Sequence, residues 1–318
     1  MIPFSMRAVS MRAMSTGALA VAISVPAGAA ALLAPEMAPA LHAQSRADLD
    51  ASMQGEAYAY ATYSLFADQA RAQGLPSVRQ LFQRTAAVEL WEHFAKEAEL
   101  RGVVGGNTAN LQSAMKDEES RSHAMYPAFA RQARQDGDTI AARLFEEIAR
   151  DESAQQAASA KALEVIRTGK GAIPTPPGVK PVTVQAGAPK VRAARTRQSL
   201  SAAQHSEAMA SAKYAQFAKA AAAHGNPALA RLFTVTADAA LREHFAGEAQ
   251  LAGTVGTTRE NLITAVNVEQ YESRIMYPTY ARQAKAAGDA KAAELFAHNA
   301  KAEAGQARAF DTARNQLR

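Results

Sequence analysis

The chain repeats itself at a fixed offset. Subtracting 151 from a position in the second half returns its match in the first: Glu207 falls on Glu56, Tyr214 on Tyr63, Glu243-His244-Phe245 on Glu92-His93-Phe94, and Asn261-Leu262 on Asn110-Leu111. Further on, Met276-Tyr277-Pro278 falls on Met125-Tyr126-Pro127 and Glu303 on Glu152, with no gap. A period this long means duplicated domains rather than a solenoid of short repeats. The repeats read as domains over 44–167 and 199–318, separated by a linker at 168–198.

Each repeat reads as all-α. Amphipathic stretches cover roughly 46–73, 76–101, 109–136 and 138–166, and the same plus 151. Gly74 and Pro76, Gly102 with Gly105-Gly106, and Gly137 punctuate them where helices should stop. Four such helices make a four-helix bundle, so the chain is expected to hold two bundles in tandem. The linker GKGAIPTPPGVKPVTVQAGAPK cannot be a continuous helix and reads as an extended, semi-rigid tether that lets the two domains move.

Composition narrows the chemistry. With no cysteine there is no disulfide, thiolate metal site or thiol nucleophile, so any metal must be held by carboxylate and imidazole. The net charge of +5 suggests nucleic acid, but seven positive charges sit between Arg167 and Arg197, where there is no Asp or Glu. The folded remainder is net acidic, which excludes a basic binding face. Residues 1–43 carry Arg7 and Arg12, then a charge-free run from Ala13 to Pro35, then small residues. This pattern predicts an export leader and a periplasmic or otherwise exported protein, membrane-anchored if the leader is retained.

The acidic residues fall on inward stripes. Glu207 shares a helical face with Tyr214, Phe217 and Ala221; Glu269 and Glu272 with Leu262, Ala265, Val266 and Met276; Glu303 with Phe296, Ala307 and Phe310; and His244 with Ala237, Leu241 and Leu251. Glu56, His93, Glu118 and Glu152 are the first-repeat equivalents. One such glutamate alone would ordinarily be a helix residue whose tip reaches solvent. Four carboxylates and a histidine converging between helices are how bundles hold two divalent metals.

The segments GEAYAYATY, the Glu-His pair of the second helix and NLITAVNVEQYESRIMYP resemble rubrerythrins of the ferritin-like di-iron superfamily. The resemblance implies a di-iron centre, with manganese or zinc as alternatives, held by Glu207, His244, Glu269, Glu272 and Glu303 in the second repeat. The first repeat would use Glu56, His93, Glu118 and Glu152, and Tyr214 and Tyr277 match tyrosines near the metals. It also implies hydrogen peroxide as substrate. The rubredoxin-like domain of many rubrerythrins needs cysteines, so an unidentified external electron donor is expected; the alternative is a non-catalytic metal-binding or scaffold protein of the same fold.

Three departures stand out. The second helix lacks the family's glutamate three residues before its histidine, with Leu90 and Leu241 there instead. Glu89 could return to register through a π-bulge, Ala240 could not, and Glu97 and Glu248 are further substitutes. Gln155 and Gln306 replace a fourth-helix histidine. Arg121 replaces the second glutamate of the third-helix pair and is expected to pair with Glu118 and with Glu56 or Glu152, leaving the metal chemistry to the second repeat; the alternative is an arginine snorkelling to solvent. About ten residues join the second and third helices, a reach of roughly 33 Å against ~30 Å for a twenty-residue helix. That narrow margin leaves open a homodimer or an assembly in which helix pairs are exchanged.

Overall fold

The computed structural model describes residues 41–317, and the expected leader lies outside them up to residue 40. Eight helices follow one another: α1 (Ala43–Ala72), α2 (76–101), α3 (107–135), α4 (Thr139–Thr168), α5 (Ala194–Ala223), α6 (227–252), α7 (258–286) and α8 (Ala290–Gln316). Their ends follow from local chemistry. Pro76 and Pro227 occupy first turns, where a missing N–H costs nothing. Gly102 and Gly253 end α2 and α6 in the left-handed conformation, and Thr257 with Glu260 closes a capping box on α7. Among the described residues no helix is long and apolar enough to cross a membrane.

The two bundles are not the two sequence repeats. Helices α1 and α2 pack with α7 and α8, while α3 and α4 pack with α5 and α6. One bundle is therefore a single stretch of chain, α3 to α6, and the other is made from the two ends of the chain. We call them the inner and outer bundles. The reason is connection length. Only residues 102–106 and 253–257 separate α2 from α3 and α6 from α7, a reach of about 17 Å, whereas a 30-residue helix is about 45 Å long. The chain cannot return along its own bundle there, so it crosses into the next. Asn110 pins the first crossing by bonding the backbone N–H and C=O of Gly105, and Asn261 does the same at Gly256.

The linker is likewise not a free tether. Residues 169–193 join α4 to α5 and so form the long crossover of the inner bundle. Backbone bonds from Val182 to Arg242, Gly187 to Val255 and Lys190 to Leu251 hold it along α6. It crosses directly over Gly253, where a Cβ would lie 2.6 Å from the Pro189 nitrogen, so that position requires glycine for space as well as for its φ of +66°. The bundles meet along α1 and α5. Ala57 and Ala61 share a core cluster with Ala208 and Ala212, Tyr58 stacks on His205 at 4.2 Å, and Gln216 donates to the Leu90 carbonyl. Small side chains allow this close approach.

A candidate dinuclear metal centre in the outer bundle

Four helices each place acidic groups in the outer core: Glu56 on α1, Glu89, His93 and Glu97 on α2, Glu269 and Glu272 on α7, and Glu303 on α8. All are buried. Residues 89–94 form a π turn, and within it Glu89 and His93, four residues apart on one face, bring their side chains to 2.9 Å. The bulge expected for Glu89 is present, and the other three helices of this type also carry one, at 121–125, 240–245 and 272–276. His93 Nδ1 also lies 2.7 Å from Glu303 and 3.4 Å from Glu56. Ligand atoms of Glu56, Glu89, His93 and Glu303 come within 4.8 Å of one another, as do those of Glu269, Glu272 and Glu303. The two sets share Glu303.

Around them lies a hydrogen-bonded shell. Tyr63 donates to Glu269 at 2.5 Å, the Tyr277 hydroxyl donates to Glu56 and also lies 2.9 Å from Glu97, and Asn299 donates to Glu97 at 3.0 Å. Glu272 lies against the α1 backbone, its Oε1 3.3 Å from where a Cβ on Gly55 would be. Behind Tyr63, Phe82 and Phe310 close the site with rings 5.0 to 5.8 Å apart.

Electrostatics make the cluster unstable as bare anions. Burial and then the charges of neighbouring carboxylates push Glu89 and Glu272 far above the usual range, and burial with the Glu56 charge does the same to Glu97. Glu303 is raised by burial and the Glu89 charge. Burial acts on Glu56 too, but the His93 bond and charge outweigh it and hold Glu56 low. His93 in turn is raised because its bonds to Glu303, Glu56 and Glu89 overcome burial. Six carboxylates face one imidazole, and Glu89 Oε1, Glu97 Oε2, Glu269 Oε2 and Glu303 Oε2 have no hydrogen-bond donor. Cations are the partners such oxygens need, so the residues present fit a pair of divalent metals.

The inner bundle carries an altered copy. Glu118, Glu152, Glu207, His244 and Glu248 are buried there, but Ala240 stands where the outer bundle has Glu89, and Arg121 where it has Glu272. Arg121 is 6% exposed, which rules out snorkelling. Its Nε donates to Glu152 at 2.8 Å and lies 3.8 Å from Glu207, and its Nη2 donates to Tyr214. Glu56, one expected partner, belongs to the other bundle; Glu118 is reached through Tyr214, which donates to it at 3.1 Å. Burial first, and then the Glu152 charge, raise Glu118 to about 7 against the opposing pull of Arg121. Glu152, Glu207 and His244 still bring ligand atoms within 4.8 Å. The donor set for two ions is broken by a fixed positive charge.

The expectation that Glu207 and His244 share a site with Glu269, Glu272 and Glu303 is therefore corrected, because neither repeat contributes all four helices of a bundle. Of the two tyrosines singled out, Tyr277 lies in the outer site and Tyr214 in the inner one. Tyr63 and Asn299 were missed. Tyr63 was legible as the −151 match of Tyr214; Asn299 carried no signal, since its counterpart is Ile148.

The sequence model of the rubrerythrin family matches residues 48–163 and 238–313. The chain belongs to the rubrerythrin family. Among curated relatives, nigerythrin of Nitratidesulfovibrio vulgaris (strain Hildenborough) is 35% identical over 111 residues, which cover 31% of this chain and 55% of nigerythrin. The chain thus spans about half the length of the curated relative it matches, and no solved structure matches. Rubrerythrin membership implies a di-iron centre, and the outer bundle is where the donors for one converge.

Proposed function

We propose that the outer bundle holds a di-iron centre that reduces hydrogen peroxide, and that the inner bundle is a self-neutralised twin without one. The observation that carries this is the sharing of Glu303 by two buried ligand sets assembled from both ends of the chain. Glu56, Glu89 and His93 would hold one ion, Glu269 and Glu272 the other, with Glu303 between them. When bound, two ferrous ions supply the two electrons that peroxide reduction to water consumes.

The remaining work falls to the chain. Tyr277 and Asn299 fix Glu97 beside Glu56, where burial and the Glu56 charge raise its carboxyl and suit it to hold a proton within reach of the site. Tyr63 orients Glu269, and the Phe82 and Phe310 rings exclude water on that side. Glu272, with no such tether and a glycine opposite, is free to swing as a proton carrier. Reducing equivalents come from an external donor, and the leader directs the protein out of the cytoplasm.

Anaerobic stopped-flow mixing of the ferrous protein with peroxide tests the reading. Stoichiometric oxidation, one peroxide per two irons, is expected. Bound iron that stays ferrous would instead favour a metal-storage role.

A further inference from the structure

The two bundles differ in one more respect, which concerns partners rather than metal. In the inner bundle the groove between the end of α4 and the start of α6 is covered by the chain itself. Ile173 packs into the cluster of Leu163, Leu229 and Leu232, and residues 175–180 with Val182 continue as one wall of a cavity of about 310 Å³ whose other walls include Ala158 and Leu232. No described residue covers the matching groove of the outer bundle, between the end of α8 and the start of α2. This groove measures about 560 Å³ and is floored by Leu75, Val78, Leu81, Ala313 and Leu317. Farther along the same path the contrast repeats. Gly253 is roofed by Pro189, whereas a Cβ on its equivalent Gly102 would meet nothing; Arg242 accepts a linker N–H, whereas its equivalent Trp91 is 44% exposed.

We propose that this open bed receives an extended, proline-containing acidic segment of a partner protein, laid down as the linker is laid on the inner bundle. The backbone form follows from the twin: a proline-rich strand of small apolar residues crosses the same groove between the same two helix ends. Such a strand has little conformational entropy to lose on binding. The charge follows from what the beds do not share. Arg84 and Arg308 line the outer groove where the inner one has Val235 and Ala157, and neither arginine is in an ion pair among the described residues. Carboxylates in the segment would supply the missing counter-charges.

The test uses the full chain and two fluorescent peptides of the linker residues 171–182, one with Thr175 and Gly178 both replaced by glutamate and the other with both replaced by lysine. Saturable anisotropy is expected with the first and at least ~5-fold weaker binding with the second, as for charge pairs at an interface rim. In the surface double variant Arg84→Glu/Arg308→Glu the order should reverse, with unchanged helical circular dichroism. No saturable binding of either peptide, or binding indifferent to both charge changes, would overturn the proposal. It does not depend on metal or on peroxide chemistry.

Discussion

Arg121 is the residue at which the two sites part. In the outer bundle the equivalent Glu272 adds to a carboxylate excess; in the inner bundle the buried guanidinium removes one, bonding Glu152 and Tyr214. Removing one member of such a pair typically costs about 3–5 kcal/mol, and Arg121→Met should lower stability by that order in urea unfolding. The double change Arg121→Glu/Ala240→Glu should restore an outer-type donor set and raise the metal content of the chain by two ions. Glu118 offers a second test. Its folded pKa of about 7 lies above the unfolded carboxylate value, so the folded state holds a proton that the unfolded state has lost, and stability falls as pH rises between about 4.5 and 7. In metal-free protein Glu118→Gln should remove that slope, gaining up to roughly 3 kcal/mol relative to the native chain between pH 5 and 8.

At the scale of elements, the π turns and the short crossings do most of the positioning. The π turn at 89–94 adds one residue and so rotates the part of α2 before it by about 100° relative to the part after it, while Glu89 and His93, four residues apart, share the inward face. Glu89→Ala should cost metal at the outer site while leaving helix content nearly intact, as seen by metal analysis and circular dichroism. Gly102 and Gly253 share a left-handed backbone, but only Gly253 has a strand across it. An alanine at 102 should cost about 1 kcal/mol for the backbone alone, and at 253 a further 1–3 kcal/mol for the clash; thermal unfolding of the two variants compares them directly. Helix number, helix limits to within a few residues and the Glu89 bulge could all be anticipated from spacing and punctuation. That the linker hugs α6 could not, because its prolines and glycines specify an extended backbone but not the surface it lies on.

For the whole molecule, the duplication is legible, and the pairing is legible only as an open alternative: the short crossing allows helix pairs of different copies to complete each bundle, and they do so. Both repeats present the same inward stripes, so α1 and α2 are as complementary in pattern to α3 and α4 as to α7 and α8. Only the reach of residues 102–106 and 253–257 discriminates, and it sends each helix pair to the other repeat's partner. The ligand list drawn from the 151-residue offset thus survives, while its division into sites does not: the complete set joins Glu56, Glu89 and His93 to Glu269, Glu272 and Glu303. This nesting makes the outer centre a property of the entire chain. Metal content after anaerobic loading with ferrous iron and desalting tests it most directly, using two substitutions at matched positions of the two repeats. The account predicts two irons per chain in the native protein, one or fewer in Glu303→Ala, and still two in Glu152→Ala. Four irons per chain, or equal loss from both variants, would contradict it.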